Sequence, residues 1–406
     1  MDNPLEHCFA PAQLGGLTLR NRLIKSATSE GMTPKGRPGD ALADFHTRIG
    51  AGGIGMTTIA YCAVEPDGRL HEHQMHMHDA IAPALTRMID RVHETGAKVS
   101  GQMAHAGGFT KNRHLQRRRP LGPSANFNKY GAARGILFCD QMSDQQMADM
   151  ARAYGDAASL MKGVGFDALE IHFGHGYALS QFISPRTNKR KDRFGGTLAN
   201  RMRLPLMALD AVREAVGDAF PVLGKISMED GIKGGQGLEE GIDIARMLDE
   251  AGIDALVTSG GSSSGNPMML FHGDSFQAAM AAAEPNPVMR LAIKLFGGSM
   301  FQDYPYQPLY FRDRALRVRD AVDCAVAYVG GAAGSEDFAT LMADGFDFIQ
   351  LGRALLADPD LPQRAAGDAA WRSRCIHCND CVATIEGPQG VHCPRFDAPG
   401  GAVSRP

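Results

Sequence analysis

The sequence predicts an α/β fold, a closed TIM-type barrel of eight parallel strands in which a helix follows each strand. Eight short apolar runs alternate with helical patterns: 23–27, 54–61, 98–103, 167–172, 221–227, 255–259, 325–329 and 348–351. A Gly-x-Asp-x joint, with an apolar residue after the glycine, leads into three of these runs, at 165–168, 252–255 and 345–348. Its glycine can end a helix in the left-handed conformation, so the repeat of the joint indicates one repeated structural unit.

A doubly wound open sheet is the competing architecture for alternating strands and helices. No Gly-x-Gly-x-x-Gly motif follows the first apolar run, so we prefer the barrel. We expect a barrel over residues 1–365 and a cysteine-containing extension over residues 366–406 that packs on it. A long insertion after the sixth strand, 262–314, is rich in Met, Phe, Tyr and Pro, which favours a lid or a subunit contact.

The composition excludes several classes of protein. Of the 406 residues, 44% are hydrophobic and 21% charged, with a formal net charge of −3, which is typical of a globular protein. No dominant basic patch indicates a nucleic-acid partner, and no apolar stretch is long enough to span a membrane. The start of the chain lacks the pattern of a secretory leader, so we expect a cytoplasmic protein. We also expect a small-molecule substrate and a homo-oligomer.

Polar side chains follow the fourth apolar run. His172 ends the run, and His175 and Tyr177 come directly after it. In parallel barrels the chemistry lies at the carboxyl ends of the strands, so these three residues are candidate catalytic groups. Two imidazoles can donate hydrogen bonds to one carbonyl oxygen while a phenol delivers a proton from another direction. The spacing therefore predicts a site that polarises an unsaturated carbonyl.

The same stretch resembles a known family. Its residues are similar to the signature of the old yellow enzyme and 2,4-dienoyl-CoA reductase group of FMN oxidoreductases, the NADH:flavin oxidoreductases. The resemblance runs from about Leu14 to Cys393. The matching residues are His172, His175, Gly176, Tyr177, Gln181, Phe182, Ser184, Pro185, Asn188, Arg190, Asp192, Phe194, Gly195, Gly196, Asn200 and Arg201.

The resemblance implies noncovalent FMN and assigns flavin contacts at the ends of the first two strands. Ala27 and Thr28 would contact the flavin through their backbone, and Ser29 would lie near its N5 and O4 edge or, alternatively, cap a helix. Tyr61 would lie at the cofactor and line the substrate pocket, as an aromatic residue does in the amine dehydrogenase branch, or would belong to the core.

Two further side chains are assigned to the flavin ring. The carboxamide of Gln102 can donate and accept hydrogen bonds at once, which suits the pyrimidine edge of an isoalloxazine. Lys225 would face N1 and the C2 carbonyl, where negative charge builds up on reduction. Many members of the family carry arginine at this place; lysine keeps the charge but lacks the planar fork.

Glycine-rich turns end the last two strands. Gly330 and Gly331 follow the seventh strand, and Gly352 and Arg353 follow the eighth. Backbone amides at such turns, with an arginine beside them, can hold a phosphate, and the resemblance places the FMN phosphate here.

The extension carries a cysteine motif. Cys375, Cys378 and Cys381 are spaced by two residues each, and Cys393 precedes a proline. This spacing is closer to an iron–sulfur site than to a zinc ribbon, and it resembles the [4Fe-4S] motif of the dienoyl-CoA reductase and trimethylamine dehydrogenase branch. We rank the cluster first, zinc second and unligated thiols third. The printed sequence has no further flavin or nucleotide domain after the motif, so a cluster would need an external electron-transfer partner or serve a structural role.

These features together predict an FMN-dependent enzyme that takes electrons from NAD(P)H and reduces the C=C bond of an α,β-unsaturated carbonyl. His172 and His175 would hold the carbonyl oxygen, and Tyr177 would protonate the α carbon. One alternative is an amine or other dehydrogenase that passes electrons out through the cluster. The other is a barrel without redox chemistry, an isomerase or a phosphate-binding protein.

Overall fold

The structure, a computed structural model, describes residues 3–284, 287–299 and 302–396. Eight parallel strands close into a barrel in which each strand pairs with the next and the last pairs with the first. The strands are β1 (Leu23–Lys25), β2 (Met56–Ala63), β3 (Lys98–Ala104), β4 (Ala168–His172), β5 (Val222–Ser227), β6 (Ala255–Ser259), β7 (Ala325–Val329) and β8 (Phe348–Leu351). The predicted TIM barrel is confirmed, and the observed strands coincide with the eight apolar runs to within about two residues at each end.

A helix packs outside the barrel after each strand. These helices are α1 (Asp40–Ala51), α2 (Ala82–His93), α3 (Asp144–Gly163), α4 (Arg203–Val216), α5 (Leu238–Glu250), α6 (Arg312–Arg319), α7 (Ser335–Ala343) and α8 (Leu361–Gly367). Their apolar faces and the outward faces of the strands form the main hydrophobic core. In the described part of the chain, no helix is both long and apolar enough to cross a membrane.

Shorter elements close the two ends of the barrel. At the amino ends of the strands lies an antiparallel hairpin, Ala12–Leu14 with Leu17–Leu19, whose Leu14 and Leu19 pack against Met56, Leu223 and Phe348. The loop after β3 carries a small sheet of Leu121–Gly122, Asn126–Phe127 and Phe138–Gln141. The remaining helices are Pro4–Phe9, Ala178–Ile183, Leu198–Arg201, Gln277–Ala283, Pro287–Phe296, Arg353–Ala357 and Asp380–Thr384.

Seven 3₁₀ turns complete the described elements; they lie in the connecting segments. They are Pro34–Gly36, Pro66–Gly68, Asp79–Ile81, Gly107–Phe109, Ala132–Arg134, Pro267–Met269 and Gly297–Ser299.

The three Gly-x-Asp-x joints share one hydrogen-bond pattern. The carboxylates of Asp167, Asp254 and Asp347 accept from the backbone N–H of a valine on the preceding strand in the barrel, at 2.7–2.8 Å. The backbone N–H of each aspartate donates to the carbonyl of the same valine, at 2.8–3.0 Å. The preceding glycines all have positive φ, between 80° and 105°. Each joint therefore ends a helix and ties the incoming strand to its neighbour before the regular ladder begins.

We predict that Asp347→Ala lowers the free energy of unfolding by about 1–3 kcal/mol, because the N–H of Val326 loses its side-chain acceptor. Urea unfolding followed by circular dichroism measures the change. Asp243→Ala is the matched control, since Asp243 lies on α5 with its side chain 54% exposed and forms an ion pair with Arg246 at the surface. Equal losses in the two variants would show that the joint contributes nothing beyond its charge.

Candidate active site

The turn after β4 brings the three candidate catalytic side chains together. The ring of His172 lies 4.8 Å from that of His175 and 4.6 Å from that of Tyr177, measured between centroids. His175 has a φ of +59°, and its backbone N–H donates to Ser227 Oγ at 2.9 Å. The hydroxyl of Ser227 donates in turn to the carbonyl of Gly261 at 3.0 Å. The left-handed turn is thus held by β5 and by the segment after β6.

Burial sets the protonation states of the two imidazoles. His172 is 3% exposed, and burial, with His175 and Lys225 nearby, lowers its pKa well below the ordinary value. Burial and the Lys225 ammonium lower the pKa of His175 to about 3. His175 Nε2 lies 2.7 Å from Ser259 Oγ. Both rings are therefore neutral at pH 7 and can each offer one N–H without carrying charge.

Tyr177 lies in an aromatic pocket. Its ring makes edge contacts with Tyr61 at 5.2 Å and Phe109 at 5.1 Å. Burial raises the pKa of the Tyr177 phenol above its ordinary value, so the phenol keeps its proton at neutral pH. Tyr61 belongs to the same wall, and its hydroxyl donates to the carbonyl of Gly68 at 3.1 Å. The pocket therefore combines an acid with apolar walls.

A buried polar network fills the barrel interior beneath this turn. Glu170 on β4 accepts from Gln102 Nε2 at 2.7 Å and from Gln350 Nε2 at 2.8 Å, and its carboxylate lies 3.0 Å from Lys225 Nζ. Lys225 also donates to Ser26 Oγ at 3.1 Å. The two predicted flavin-ring residues, Gln102 and Lys225, are therefore oriented by one carboxylate. The sequence analysis missed Glu170 and Gln350; a charged or amide side chain within an apolar strand was the available signal.

A second buried ion pair links β1 to the segment after it, and both of its side chains form hydrogen bonds with the backbone of β2. Lys25 pairs with Glu30, and Lys25 Nζ donates to the carbonyl of Thr58 at 2.9 Å. Glu30 accepts from the backbone N–H of Ala60 at 2.9 Å. Both side chains are almost fully buried. The apolar pattern that predicts the strands did not reveal this ion pair.

The segment after β1 passes along the barrel mouth. Ala27 packs with the apolar cluster of Tyr61, Phe109 and Tyr177. Thr28 Oγ1 is buried without a hydrogen-bond partner among the described residues. Ser29 is half-buried and does not cap a helix, since the next helical turn begins at Pro34.

The glycines after β7 are covered by the insertion. A Cβ on Gly330 would lie 2.9 Å from the ring of Phe311, and one on Gly331 would lie 2.8 Å from the ring of Tyr310. The Gly331 carbonyl accepts from the hydroxyl of Tyr306 at 2.8 Å. Only glycine fits this close approach of backbone to aromatic rings.

Gly352 and Arg353 lie next to the segment after β1. A Cβ on Gly352 would be 3.8 Å from Thr28 Cγ2, and Gly352 precedes the short helix Arg353–Ala357. The guanidinium of Arg353 donates to the carbonyl of His272 in the insertion, at 2.9 Å, and to the side chain of Asn379 in the extension. The structure thus places Arg353 between the glycine turn and the cysteine motif.

The four cysteines of the motif, Cys375, Cys378, Cys381 and Cys393, line one cavity together with Arg353, Leu356 and Phe396. Burial raises the pKa of Cys381 to about 12 and also raises that of Cys375. Arg395 Nε lies 3.2 Å from Cys378 Sγ. Within residues 3–284, 287–299 and 302–396, however, no three His, Cys, Asp or Glu side chains converge as metal ligands. The residue types and their shared cavity suit a cluster or zinc.

The barrel mouth has the groups that a flavin ring requires. Among the described residues, Lys225 finds acceptors for two of its three N–H donors, which leaves one for a ligand. Thr28 Oγ1 and Gln350 Oε1 are buried polar atoms that lack partners in the described structure, and buried polar atoms are normally satisfied. Together with the glycine turn after β8, these groups fit FMN.

Comparisons with known proteins agree with this geometry. The family described as NADH:flavin oxidoreductase / NADH oxidase matches residues 7–263. The 4,4'-dithiodibutanoate disulfide reductase of Rhodococcus erythropolis is 37% identical over 398 residues, which cover 97% of this chain and 96% of that protein.

Two solved structures share the fold. A 2-naphthoyl-CoA reductase complex has a TM-score of 0.79 at 23% identity, covering 94% of this chain and 56% of that one. Histamine dehydrogenase from Rhizobium sp. 4-9 has a TM-score of 0.78 at 21% identity, covering 96% and 52%. The chain spans about half the length of these two proteins. The family match and the relative over nearly the whole chain show that this protein is an oxidoreductase of the NADH:flavin oxidoreductase / NADH oxidase family.

Proposed function

We propose that the protein is an FMN-dependent ene reductase, which uses NAD(P)H to reduce the C=C bond of an α,β-unsaturated carbonyl substrate. The observation that carries the proposal is a pair of neutral imidazoles, His172 and His175, beside a protonated Tyr177. Family membership supports the redox chemistry and disfavours the barrel without it.

The residues proposed to hold the FMN line the mouth from β1 round to β8. Gln102 and Lys225 would bind the pyrimidine edge, with their positions set by Glu170. Thr28 and its neighbours Ala27 and Ser29 would contact the ring from β1, while Gly330, Gly331, Gly352 and Arg353 would hold the phosphate. When bound, FMN supplies the hydride that reduces the alkene.

The catalytic side chains have separate tasks. The neutral N–H groups of His172 and His175 would hold the substrate carbonyl oxygen and stabilise the charge that develops on it. Neither ring carries an acidic proton that it could release to the oxygen. Tyr177 would therefore transfer the proton, to the α carbon, while Tyr61 and Phe109 keep water from the reacting atoms.

We predict that Tyr177→Phe slows alkene reduction by about 100-fold or more, because the proton donor is lost, and leaves the reduction of the flavin by NAD(P)H nearly unchanged. Anaerobic stopped-flow spectroscopy of each half-reaction measures both rates. Tyr154→Phe is the matched control: it removes another buried hydroxyl, on α3, which has no partner in the described structure. Equal slowing of the two half-reactions by Tyr177→Phe would contradict the assignment.

Disulfide reduction is a second candidate activity, favoured by the 37% identity to a disulfide reductase over nearly the whole of both chains. We predict that Tyr177→Phe slows the reduction of a disulfide less than the reduction of an alkene. The products of disulfide reduction leave as thiolates, so no carbon atom has to be protonated. Oxidation of the reduced enzyme by an enone and by a dialkyl disulfide, in the wild type and in Tyr177→Phe, separates the two activities. Faster oxidation by the disulfide in the wild type would favour this candidate over the ene reductase.

The extension is part of the proposal. We retain the division into a barrel, 1–365, and an extension, 366–406. The backbone N–H of Ser335 donates to the carbonyl of Trp371 at 3.0 Å, and that of Val391 donates to the carbonyl of Glu30 at 2.7 Å, so the described part of the extension packs on the barrel.

We propose that the four cysteines of the extension hold a [4Fe-4S] cluster, with zinc as the alternative. With a cluster, an amine or related dehydrogenase that passes electrons to an external partner remains the competing activity.

We predict about four iron and four sulfide per chain in protein purified without oxygen, and less than about a tenth of this in Cys378→Ser. Metal analysis and the visible spectrum measure both. Cys139→Ser is the control, since Cys139 is buried in the loop after β3, away from the motif. One zinc per chain, without sulfide, would assign the site to zinc.

A further inference from the structure

The extension reaches the substrate side of the barrel mouth. A Cβ on Gly31 would lie 1.8 Å from the carbonyl oxygen of Ile385, so the two backbones are in direct contact there. The next residue, Glu386, forms an ion pair with Lys111 in the loop after β3. The extension therefore bridges the loops after β1 and β3, on either side of the catalytic pocket.

A continuous aromatic wall connects Tyr177 to Lys111. Phe109 contacts Tyr177 at 5.1 Å and Tyr130 at 5.8 Å between ring centroids. Lys111 Nζ lies over the ring of Tyr130, 5.2 Å from its centroid. An elongated substrate that reacts beside Tyr177 and lies along this wall would bring its far end to the Lys111 ammonium.

The ion pair is asymmetric in burial. The side chain of Lys111 is 11% exposed, whereas that of Glu386 is 52% exposed. Burial raises the pKa of Glu386, but the charge of Lys111 and its hydrogen bond outweigh that effect and hold the pKa below its ordinary value. A buried ammonium requires a partner, and here the partner is a carboxylate on a half-exposed side chain. A ligand can replace such a carboxylate without uncovering the lysine.

We propose that Lys111 is a specificity residue that binds a carboxylate at the far end of the substrate, and that Glu386 occupies this position until the substrate arrives. The proposal rests on the proposed ene reductase and narrows its substrate class to unsaturated carbonyl compounds with a terminal carboxylate. Loss of one charge-assisted hydrogen bond corresponds to about a 10- to 100-fold weaker interaction.

The test compares an α,β-unsaturated ketone that carries a terminal carboxylate with its methyl ester, over a series of spacer lengths. The readout is the ratio of the KM of the acid to the KM of the ester. We expect Lys111→Met to raise this ratio by about 10-fold or more and Glu386→Gln to lower it, because the internal competitor loses its charge. Lys129→Met, at an exposed lysine of the same loop, controls for net charge.

An unchanged ratio in both variants overturns the proposal. A change in the rate of flavin reduction by NADPH but not by NADH, caused by Lys111→Met, also overturns it, because Lys111 would then bind the phosphate of the dinucleotide. If the wild type reduces neither alkene, the proposed function is wrong. Calorimetric titration with the saturated acid and its ester then tests whether Lys111 binds a carboxylate. If the wild type binds the acid more tightly than the ester and Lys111→Met abolishes this preference, the proposal is supported. Equal binding of acid and ester contradicts it.

Discussion

The site depends on a single buried carboxylate. Glu170 lies within the barrel, where an unpaired charge would cost several kcal/mol. It is therefore surrounded by donors from three other strands: Gln102 of β3, Lys225 of β5 and Gln350 of β8. If these side chains rotated away from Glu170, its buried carboxylate would lose its hydrogen-bond and charge partners. The charge thus fixes the direction of Gln102 and Lys225, the groups available to a ring bound at the mouth. Lys225 in turn contributes to the low pKa values of His172 and His175, the candidate catalytic histidines.

Two additions to the barrel stabilise each other over the ends of β7 and β8. His272 of the insertion stacks on Tyr310 at 3.9 Å, and Tyr306 stacks on His377 of the extension at 3.4 Å. Asn379 donates to the carbonyls of Phe271 and Asp274 at 2.7 and 2.9 Å. The insertion therefore lies on the extension as well as on the glycine turns, and Arg353 contacts both additions.

The strands and helices could be predicted from sequence, and the candidate catalytic turn could be singled out, because both follow local patterns. The joints at Asp167, Asp254 and Asp347 repeat within a few residues, and His172 and Tyr177 lie on one turn. The partners of Glu170 could not be predicted, because they depend on the register of strands that are far apart in the chain. The same holds for Arg353, whose partners come from the insertion and the extension. Some residues of the family signature prove structural: Arg190 donates to the carbonyls of Pro123 and Met142, and Asn188 to those of Phe182 and Phe194.

Burial shifts the pKa values of the candidate catalytic groups in opposite directions, and this determines which of them could supply a proton. Low polarity disfavours any charged form, so it keeps His172 and His175 deprotonated at one nitrogen and Tyr177 protonated. The imidazoles can then stabilise an oxygen but cannot protonate it, whereas the phenol can give up its proton only to a strongly basic atom. A carbon that becomes basic after hydride addition is such an atom; an alcohol or carboxylate oxygen is not. In the proposed ene reductase, the same burial would therefore direct the proton of Tyr177 to the α carbon and away from the carbonyl oxygen.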